Sequence, residues 1–237
     1  MKFALLNGER QEPQPNLSAN CIGCGGLVVS RCGEVRLWHW AHKAIRNCDS
    51  WWEGETEWHR SWKDQYPTEW QEVVHQSESG EKHIADIRTQ NGWVIEFQHS
   101  YINPDERRSR EEFYKKLIWI VDGKRRSRDA DRFFQVLGDG DGPNRSWPEL
   151  RMPFPEGALF RDWISSDAPV FFDFGGDLLW LLFPQSYELW AYVLPISRSE
   201  FIEMHQQVNA TEMNQFDSLL NKFSAFLKNK KRFSGIR

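Results

Sequence analysis

Two runs of alternating apolar and polar residues, separated by Asn91-Gly92, predict a β-hairpin near the middle of the chain. A three-residue loop pairs Ile87 with Ile95, whereas a two-residue turn mixes polar and apolar side chains on both faces. The same register sets Asp86 opposite Glu96, with Cβ atoms about 5 Å apart. One face then carries Asp86, Arg88, Glu96 and Gln98, and the other carries Ala85, Ile87, Trp93, Ile95 and Phe97. Two opposed carboxylates suit a divalent metal ion, and a solvated sheet face is the alternative.

The flanking segments predict the rest of a mixed α/β (α+β) core. Gly54 to Tyr66 predicts a helix that Pro67 ends, and residues 69–76 predict a strand. Pro104 opens a second helix that runs to about Lys116, and the apolar run Leu117 to Val121 predicts a buried strand. The resulting order αβββαβ, a mixed sheet flanked by helices, places the acidic hairpin at the centre of the core.

The C-terminal part of the chain predicts further strands and helices. Glycine and aspartate alternate from Gly138 to Gly142, which predicts a loop. Apolar runs between Val170 and Leu194 predict a meander of strands, and helices are predicted at Ser197 to Gln207 and Thr211 to Lys228. The helical spacing of apolar residues in the last helix favours core packing over base stacking. The predicted domains are a β and zinc-knuckle module at 1–52, the core at 53–136, and an α+β extension packed on that core at 137–237.

All four cysteines lie in the N-terminal module. A Cys-x2-Cys knuckle, a predicted hairpin and further Cys and His residues follow one another, as in a treble-clef-like zinc site. The predicted zinc ligands are Cys21, Cys24, His42 and Cys48. His39 competes with His42 for the third position, and Cys32 lies on the predicted turn. Four protein ligands leave no open position for substrate, so we expect a structural ion; a chance cluster or a site that has lost its metal is the alternative.

Composition limits the classes of function. The formal net charge of −4 excludes a wholly basic nucleic-acid coat, so nucleic-acid contacts must be local. No apolar run approaches the roughly 20 residues of a transmembrane helix, and the first residues lack a secretory-signal pattern. We therefore expect a cytoplasmic protein without membrane contacts, whose cysteines are reduced thiols or metal ligands.

Two charged groups flank the acidic hairpin in the sequence. Glu55, His59 and Lys63 recur every four residues and so line one face of the first predicted helix, either in a site or as a solvated stripe. A basic cluster that includes Lys124, Arg125 and Arg126 directly follows the last core strand. This cluster predicts either a phosphate contact or a solvated loop.

Short motifs between residues 20 and 122 occur in the order of one known family. They are Cys21-x2-Cys24, His39-Trp40-Ala41-His42, Glu55-Thr56-x2-His59-x3-Lys63, Ala85-Asp86-Ile87, Glu96-Phe97-Gln98-x-Ser100, Arg110-x3-Tyr114 and Trp119-Ile120. With the αβββαβ order, this part of the chain resembles the CoiA-like (competence protein CoiA) nuclease family of the PD-(D/E)XK restriction-endonuclease-like superfamily. The resemblance implies metal-dependent hydrolysis of DNA phosphodiester bonds, in DNA uptake, recombination or defence against foreign DNA.

The resemblance also assigns roles to individual residues. Asp86, Glu96 and Glu55 become the acids that bind catalytic Mg²⁺ or Mn²⁺, and Gln98 stands where many superfamily members have lysine. His59 and Lys63 become catalytic residues that reach in from the helix. The residues assigned to DNA binding are Arg110, Tyr114, Lys124, Arg125 and Arg126.

Gln98 separates two hypotheses about activity. An amide orients water but neither carries charge nor acts as a base, so the metal ion, with His59 or Lys63, has to supply that chemistry. The alternative is an inactive nuclease fold that binds nucleic acid, and a third hypothesis is a protein-interaction subunit of a recombination or defence complex. Monomer and homodimer both stay open, and duplex cleavage favours a dimer because one active site cuts one strand.

Overall fold

The structure is a computed structural model that describes residues 1–44, 48–138, 147–184, 190–206 and 214–234, with side chains to residue 229. Within these ranges the chain forms two β-sheets and six α-helices, so the predicted mixed α+β class is confirmed. Most of the predicted glycine-rich loop, and the first residues of the predicted last helix, lie outside the described ranges.

A five-stranded antiparallel sheet forms the N-terminal part of the molecule. Its strands are β1 (Ala4–Leu6), β2 (Glu9–Gln11), β3 (Ser18–Asn20), β4 (Leu27–Arg31) and β5 (His39–His42), in the order β2-β1-β3-β4-β5. Small apolar residues pack against the buried Trp40 and give this sheet its own core. The turn between β3 and β4 carries Cys21 and Cys24, and β5 ends at His42, so the sheet brings three predicted zinc ligands together.

The second sheet has seven strands and contains the acidic hairpin. Its strands are β6 (Gln71–Gln76), β7 (Lys82–Arg88), β8 (Val94–Gln98), β9 (Leu117–Asp122), β10 (Val170–Asp173), β11 (Leu178–Leu182) and β12 (Val193–Ser197), in sequence order across the sheet. β8, β9 and β10 are parallel, and the other neighbours are antiparallel. Helix α1 (Glu57–Lys63) precedes β6, and α2 (Pro104–Tyr114) connects β8 to β9, so residues 57–122 have the order αβββαβ.

Helices cover both faces of this sheet. The remaining helices are α3 (Asp129–Gly138), α4 (Ala158–Trp163), α5 (Arg198–Gln206) and α6 (Gln215–Ser234). On β9, Ile118 and Ile120 face a cluster with α1, α5 and α6, whereas Trp119 and Val121 face a second cluster with α2, α3 and α4. Because both faces are covered, β9 is buried along its whole length, as its apolar run predicts.

The C-terminal part continues the same sheet. β10 joins β9 as a parallel neighbour, with Phe171 beside Ile120, and β11 and β12 extend the sheet to its far edge. In α6, Phe216 and Phe223 are buried in the core, so the prediction that its apolar residues pack inward is confirmed.

Asp173, at the end of β10, links the C-terminal part to α1. Its carboxylate accepts hydrogen bonds from Trp58 Nε1 and Trp62 Nε1, each over 2.9 Å, and from the Gly175 N–H over 2.7 Å. These donors, together with the guanidinium of Arg198, satisfy a fully buried acid, which would otherwise be costly. The C-terminal strands therefore hold in place the helix that carries two predicted site residues.

His205 in α5 is completely buried and gives the fold a pH dependence. Its Nδ1 lies 2.7 Å from the Phe201 carbonyl oxygen, and the rings of Phe201 and Phe216 pack against it. Burial lowers the pKa of His205 to about 4, whereas imidazole in an unfolded chain titrates near 6.5. The unfolded state therefore binds a proton first as the pH falls, and the stability that is present above about pH 6.5 is lost below it.

We expect this residue to lower the free energy of unfolding by about 2 kcal/mol between about pH 7.5 and pH 5. His205→Phe removes the titrating group and keeps an aromatic ring in the space, so its free energy of unfolding should fall less over the same interval. Urea denaturation of both proteins at the two pH values measures this difference. Equal losses would assign the pH dependence to other groups.

Candidate functional site

The β7–β8 hairpin has the predicted register next to its loop. Ile87 pairs with Ile95, and Gly92 supplies a φ of +80°. The Thr89 N–H donates to the Trp93 carbonyl over 2.9 Å and closes the three-residue loop. The two strands are therefore aligned as the alternating pattern requires.

Asp86 and Glu96 join the two strands at the next position. The Asp86 N–H donates to Glu96 Oε1 over 3.2 Å, and the Phe97 N–H donates to Asp86 Oδ2 over 3.0 Å. Each carboxylate thus takes the place of a backbone acceptor in the hairpin. Both acids line the same pocket, so the predicted juxtaposition is present.

On the face that carries these acids, the β8 residues are buried, whereas Asp86 is half-buried and Arg88 is exposed. Glu96 and Gln98 are 5% and 3% exposed. Ala85 packs in the cluster of Trp119, on the opposite side of the sheet from Ile87, so its predicted place on the apolar face is wrong. The alternation of side chains between the two faces of β7 is therefore interrupted at Asp86.

Lys63 supplies the positive charge at the centre of the acidic group. Its Nζ lies 2.9 Å from Asp86 Oδ1 and 3.3 Å from both Glu55 Oε1 and Glu72 Oε1. Burial lowers the pKa of Lys63, but the three carboxylates outweigh burial and hold it well above its usual value. The site is therefore built around a permanently charged ammonium, and three of the predicted catalytic residues meet there.

Glu55 lies before α1 rather than on its face. The Thr56 side chain accepts from the His59 N–H and caps the helix, so the predicted start at Gly54 is wrong. For the same reason Glu55, His59 and Lys63 do not share a helical face. Burial raises the pKa of Glu55, but Lys63 and Arg60 outweigh burial and lower the pKa of Glu55 to about 2.

Glu72 is a buried site acid that sequence reasoning missed. It lies on β6 with a φ of +44°, and it accepts from the Lys2 N–H over 2.7 Å and the Phe3 N–H over 3.0 Å. Glu72 therefore pairs with Lys63 and also ties the N-terminal sheet to the second sheet. No local pattern in the sequence distinguishes it from an exposed strand residue.

Arg110 contacts Glu96 from α2. Its Nη1 donates to Glu96 Oε2 over 3.1 Å, and its Nη2 donates to the Trp51 carbonyl over 2.7 Å. Burial and the nearby Asp86 raise the pKa of Glu96 to about 8, against the influence of Arg110. Arg110 and Tyr114 are both buried and line the same pocket as the acids, so they contact the site and do not form an exposed surface for DNA; their assignment to DNA binding stays a prediction.

His59 and Gln98 fix the end of β8. The Thr56 N–H donates to His59 Nδ1 over 3.2 Å, which leaves the proton on Nε2 for the Phe97 carbonyl at 3.1 Å. Gln98 Nε2 donates to Glu53 Oε2 over 2.8 Å, and Gln98 Oε1 is buried without a hydrogen-bond partner. Glu53 is a second acid that the sequence pattern did not reveal, since its partner lies 45 positions away.

Cationic side chains separate or flank the carboxylates of the acidic site. Within the described residues, Glu55, Asp86 and Glu96 do not form a convergent three-ligand group, because Lys63 and Arg110 lie between or behind them. The charged and imidazole side chains that line the common pocket include Glu55, His59, Lys63, Glu72, Asp86 and Glu96. The arrangement holds opposite charges in a recessed, mostly buried space, which strengthens their electrostatic interactions.

The four predicted zinc ligands do converge. The ligand atoms of Cys21, Cys24, His42 and Cys48 all lie within 4.8 Å of one another. Cys21 Sγ is 3.6 Å from Cys48 Sγ, close to the roughly 3.8 Å between sulfurs that share a tetrahedral zinc ion. His39 instead contacts the Leu37 carbonyl, and Cys32 lies outside the group, so the competing ligand choices are excluded. Three thiolates and one imidazole suit zinc in a closed structural site.

The basic cluster after β9 is partly neutralised. Arg126 lies 2.7 Å from Asp129 and 2.9 Å from Asp162, and Arg125 lies 3.7 Å from Asp162. Lys124 is exposed. Of the three predicted DNA contacts in this cluster, Lys124 has the most accessible charge.

Comparisons with protein families, with curated proteins and with solved structures find no significant match to this chain. In the described part of the chain, no helix has the length and apolar character needed to cross a bilayer.

Proposed function

We propose that this protein is a metal-dependent DNA nuclease that hydrolyses phosphodiester bonds at the acidic hairpin. The proposal rests on the carboxylates of Asp86 and Glu96, which accept from the Phe97 and Asp86 N–H groups across the hairpin, beside the ammonium of Lys63. Burial beside the carboxyl group of Asp86 raises the pKa of Glu96 to about 8, and perturbed acids of this kind are typical of functional sites. The surrounding order αβββαβ supports the resemblance to PD-(D/E)XK nucleases and, through it, a role in DNA uptake, recombination or defence in the cytoplasm.

Asp86 and Glu96 would hold Mg²⁺ or Mn²⁺, with the Phe97 carbonyl as a further oxygen ligand. These hard oxygen donors suit either ion. Glu55 would join them only after giving up its contact with Lys63. When bound, the ion supplies a Lewis acid for the phosphoryl oxygen and a water of lowered pKa.

Lys63 would provide the positive charge that Gln98 lacks. It reaches Asp86 from α1, whereas Gln98 is turned toward Glu53. Since three carboxylates surround its ammonium, Lys63 would stabilise negative charge on the phosphoryl oxygens and not act as a base. Gln98 does not line the pocket of the acids, so its amide would position Glu53 and not a reacting water.

An inactive nuclease fold that binds nucleic acid is the second candidate. One observation favours it: the acids already have cationic partners, Lys63 and Arg110, within the chain. A site neutralised in this way is stable without a divalent ion. Binding would then depend on surface charges such as Lys124.

A cleavage assay separates the two candidates. The purified chain is incubated with linear, circular and single-stranded DNA in Mg²⁺, Mn²⁺ or EDTA, beside the Asp86→Ala variant. A nuclease should cut at least one substrate with Mn²⁺ or Mg²⁺, and both EDTA and the variant should abolish cutting. No cleavage of any substrate, with salt-dependent DNA binding that survives Asp86→Ala, would favour the binding protein instead.

A further inference from the structure

A six-residue segment, Cys48 to Glu53, runs directly from the zinc cluster to the acidic site; we call it the connecting segment. Its first residue is a cluster ligand, and its last accepts hydrogen bonds from Gln98 Nε2 over 2.8 Å and the Ser100 N–H over 2.9 Å. The segment therefore touches both sites at its two ends.

Asp49 anchors the connecting segment to β7. Its Oδ1 lies 2.8 Å from His83 Nδ1, and its Oδ2 accepts from the Ile84 N–H over 2.8 Å. The Trp51 ring stacks on His83 with ring centroids 3.2 Å apart. These contacts fix the segment two to three residues before Asp86 on the same strand.

Trp51 carries the connection to Glu96. Its carbonyl accepts from Arg110 Nη2 over 2.7 Å, and the same guanidinium donates to Glu96 Oε2 over 3.1 Å. Arg110 thus contacts both the connecting segment and the site acid Glu96. A shift of Trp51 would therefore change the contact between Arg110 and Glu96.

Packing alone does not hold the start of the segment. A cavity of about 410 Å³ lies beside it, and the lining includes His42, Cys48, Asp49 and Trp52. Trp52 is 48% exposed. The start of the segment therefore depends on the ligation of Cys48 and the hydrogen bonds of Asp49, and the contacts of Trp51 and Glu53 hold the rest.

We propose that the connecting segment couples the two metal sites, so that zinc at the Cys3His cluster raises the affinity of the acidic hairpin for a divalent ion. This inference rests on the proposed function for the ion at Asp86 and Glu96. Asp49, Trp51 and Glu53 are then positioning residues, which act through His83, Arg110 and Gln98, respectively. Coupling of this kind is reciprocal, so a divalent ion at the hairpin also tightens zinc binding.

The test measures Mn²⁺ affinity by calorimetry without DNA, so that it does not depend on cleavage. Cys32→Ser serves as the background, because Cys32 lies outside the cluster and its removal leaves only ligand thiols. Zinc is removed with a mercurial and a zinc-selective chelator, the mercurial is reversed with thiol, and zinc is then titrated back. We expect Mn²⁺ affinity to fall at least tenfold without zinc and to return with one zinc ion per chain.

Asp49→Asn provides the second measurement, for the case in which the zinc-free chain unfolds. It keeps all four cluster ligands and should bind one zinc, yet bind Mn²⁺ several-fold more weakly than the background protein. Equal Mn²⁺ affinity with and without zinc in a folded chain, or normal Mn²⁺ affinity in Asp49→Asn, would overturn the coupling alone. Failure of the zinc-loaded chain to bind Mn²⁺ would overturn the proposed function together with it.

Discussion

Glu96→Gln and Asp86→Asn should each lower Mn²⁺-dependent DNA cleavage by a factor of roughly 10³ and leave the fold intact. Each amide keeps the shape of the acid and an oxygen for its backbone partner, the Asp86 N–H or the Phe97 N–H. At position 96 the fold itself favours a neutral group, because burial raises the pKa of Glu96 to about 8. A neutral amide there should therefore not lower the free energy of unfolding.

Single-turnover cleavage rates and urea denaturation, measured on the same preparations, check both parts of this expectation. Glu78→Gln, at an exposed position in the turn between β6 and β7, is the matched control and should change neither quantity. Cleavage at the wild-type rate by both site variants would remove the hairpin from the mechanism. Loss of cleavage together with unfolding would mean that the acids serve the fold.

The hairpin could be predicted because the forces that set it are local. Gly92 supplies the left-handed residue of the loop, and the alternation of apolar residues leaves one register that buries Ile87 and Ile95 together. Zinc-ligand spacing is similarly local, since three of the four ligands lie on one knuckle and the strand beside it. Both predictions needed only a few neighbouring residues.

The partners of the hairpin could not be predicted in the same way. Glu72 and Glu53 enter the site through tertiary contacts with Lys63 and Gln98, and neither acid belongs to a periodic pattern. The start of α1 was missed because a histidine, His59, takes the capping-box position where glutamate or glutamine is the usual signal. The spacing of neighbouring residues in the sequence does not predict which side chains from distant segments will contact one another.

The exposure of basic side chains was the property that the sequence predicted least well. The cluster after β9 predicts a phosphate contact, yet Asp162, 36 positions after Arg126, neutralises two of its arginines. Arg110 carries a charge that suggests DNA binding, but the fold turns it inward to Glu96. A basic residue reaches solvent only where the tertiary fold supplies no acid for it, and sequence alone does not reveal that.

Lys63→Met should have the largest effect on the molecule, because it lowers both stability and cleavage. The side chain keeps much of its apolar stem, but three carboxylates lose their common cation in a buried space. Removing one partner of a buried ion pair costs about 3–5 kcal/mol, and we expect a loss of this size in the free energy of unfolding. Lys82→Met, at an exposed position on β7, should change it by no more than about 0.5 kcal/mol.

The double variant Lys63→Met, Glu72→Gln separates the structural role of Lys63 from its catalytic role. Glu72→Gln removes one unpaired buried charge and keeps an oxygen for the Lys2 or Phe3 N–H, so part of the lost stability should return. Cleavage should not return, because the ammonium beside Asp86 is still missing. Recovery of cleavage in step with stability would show that Lys63 only neutralises buried acids, and the charge needed at the phosphate would then have to come from another residue.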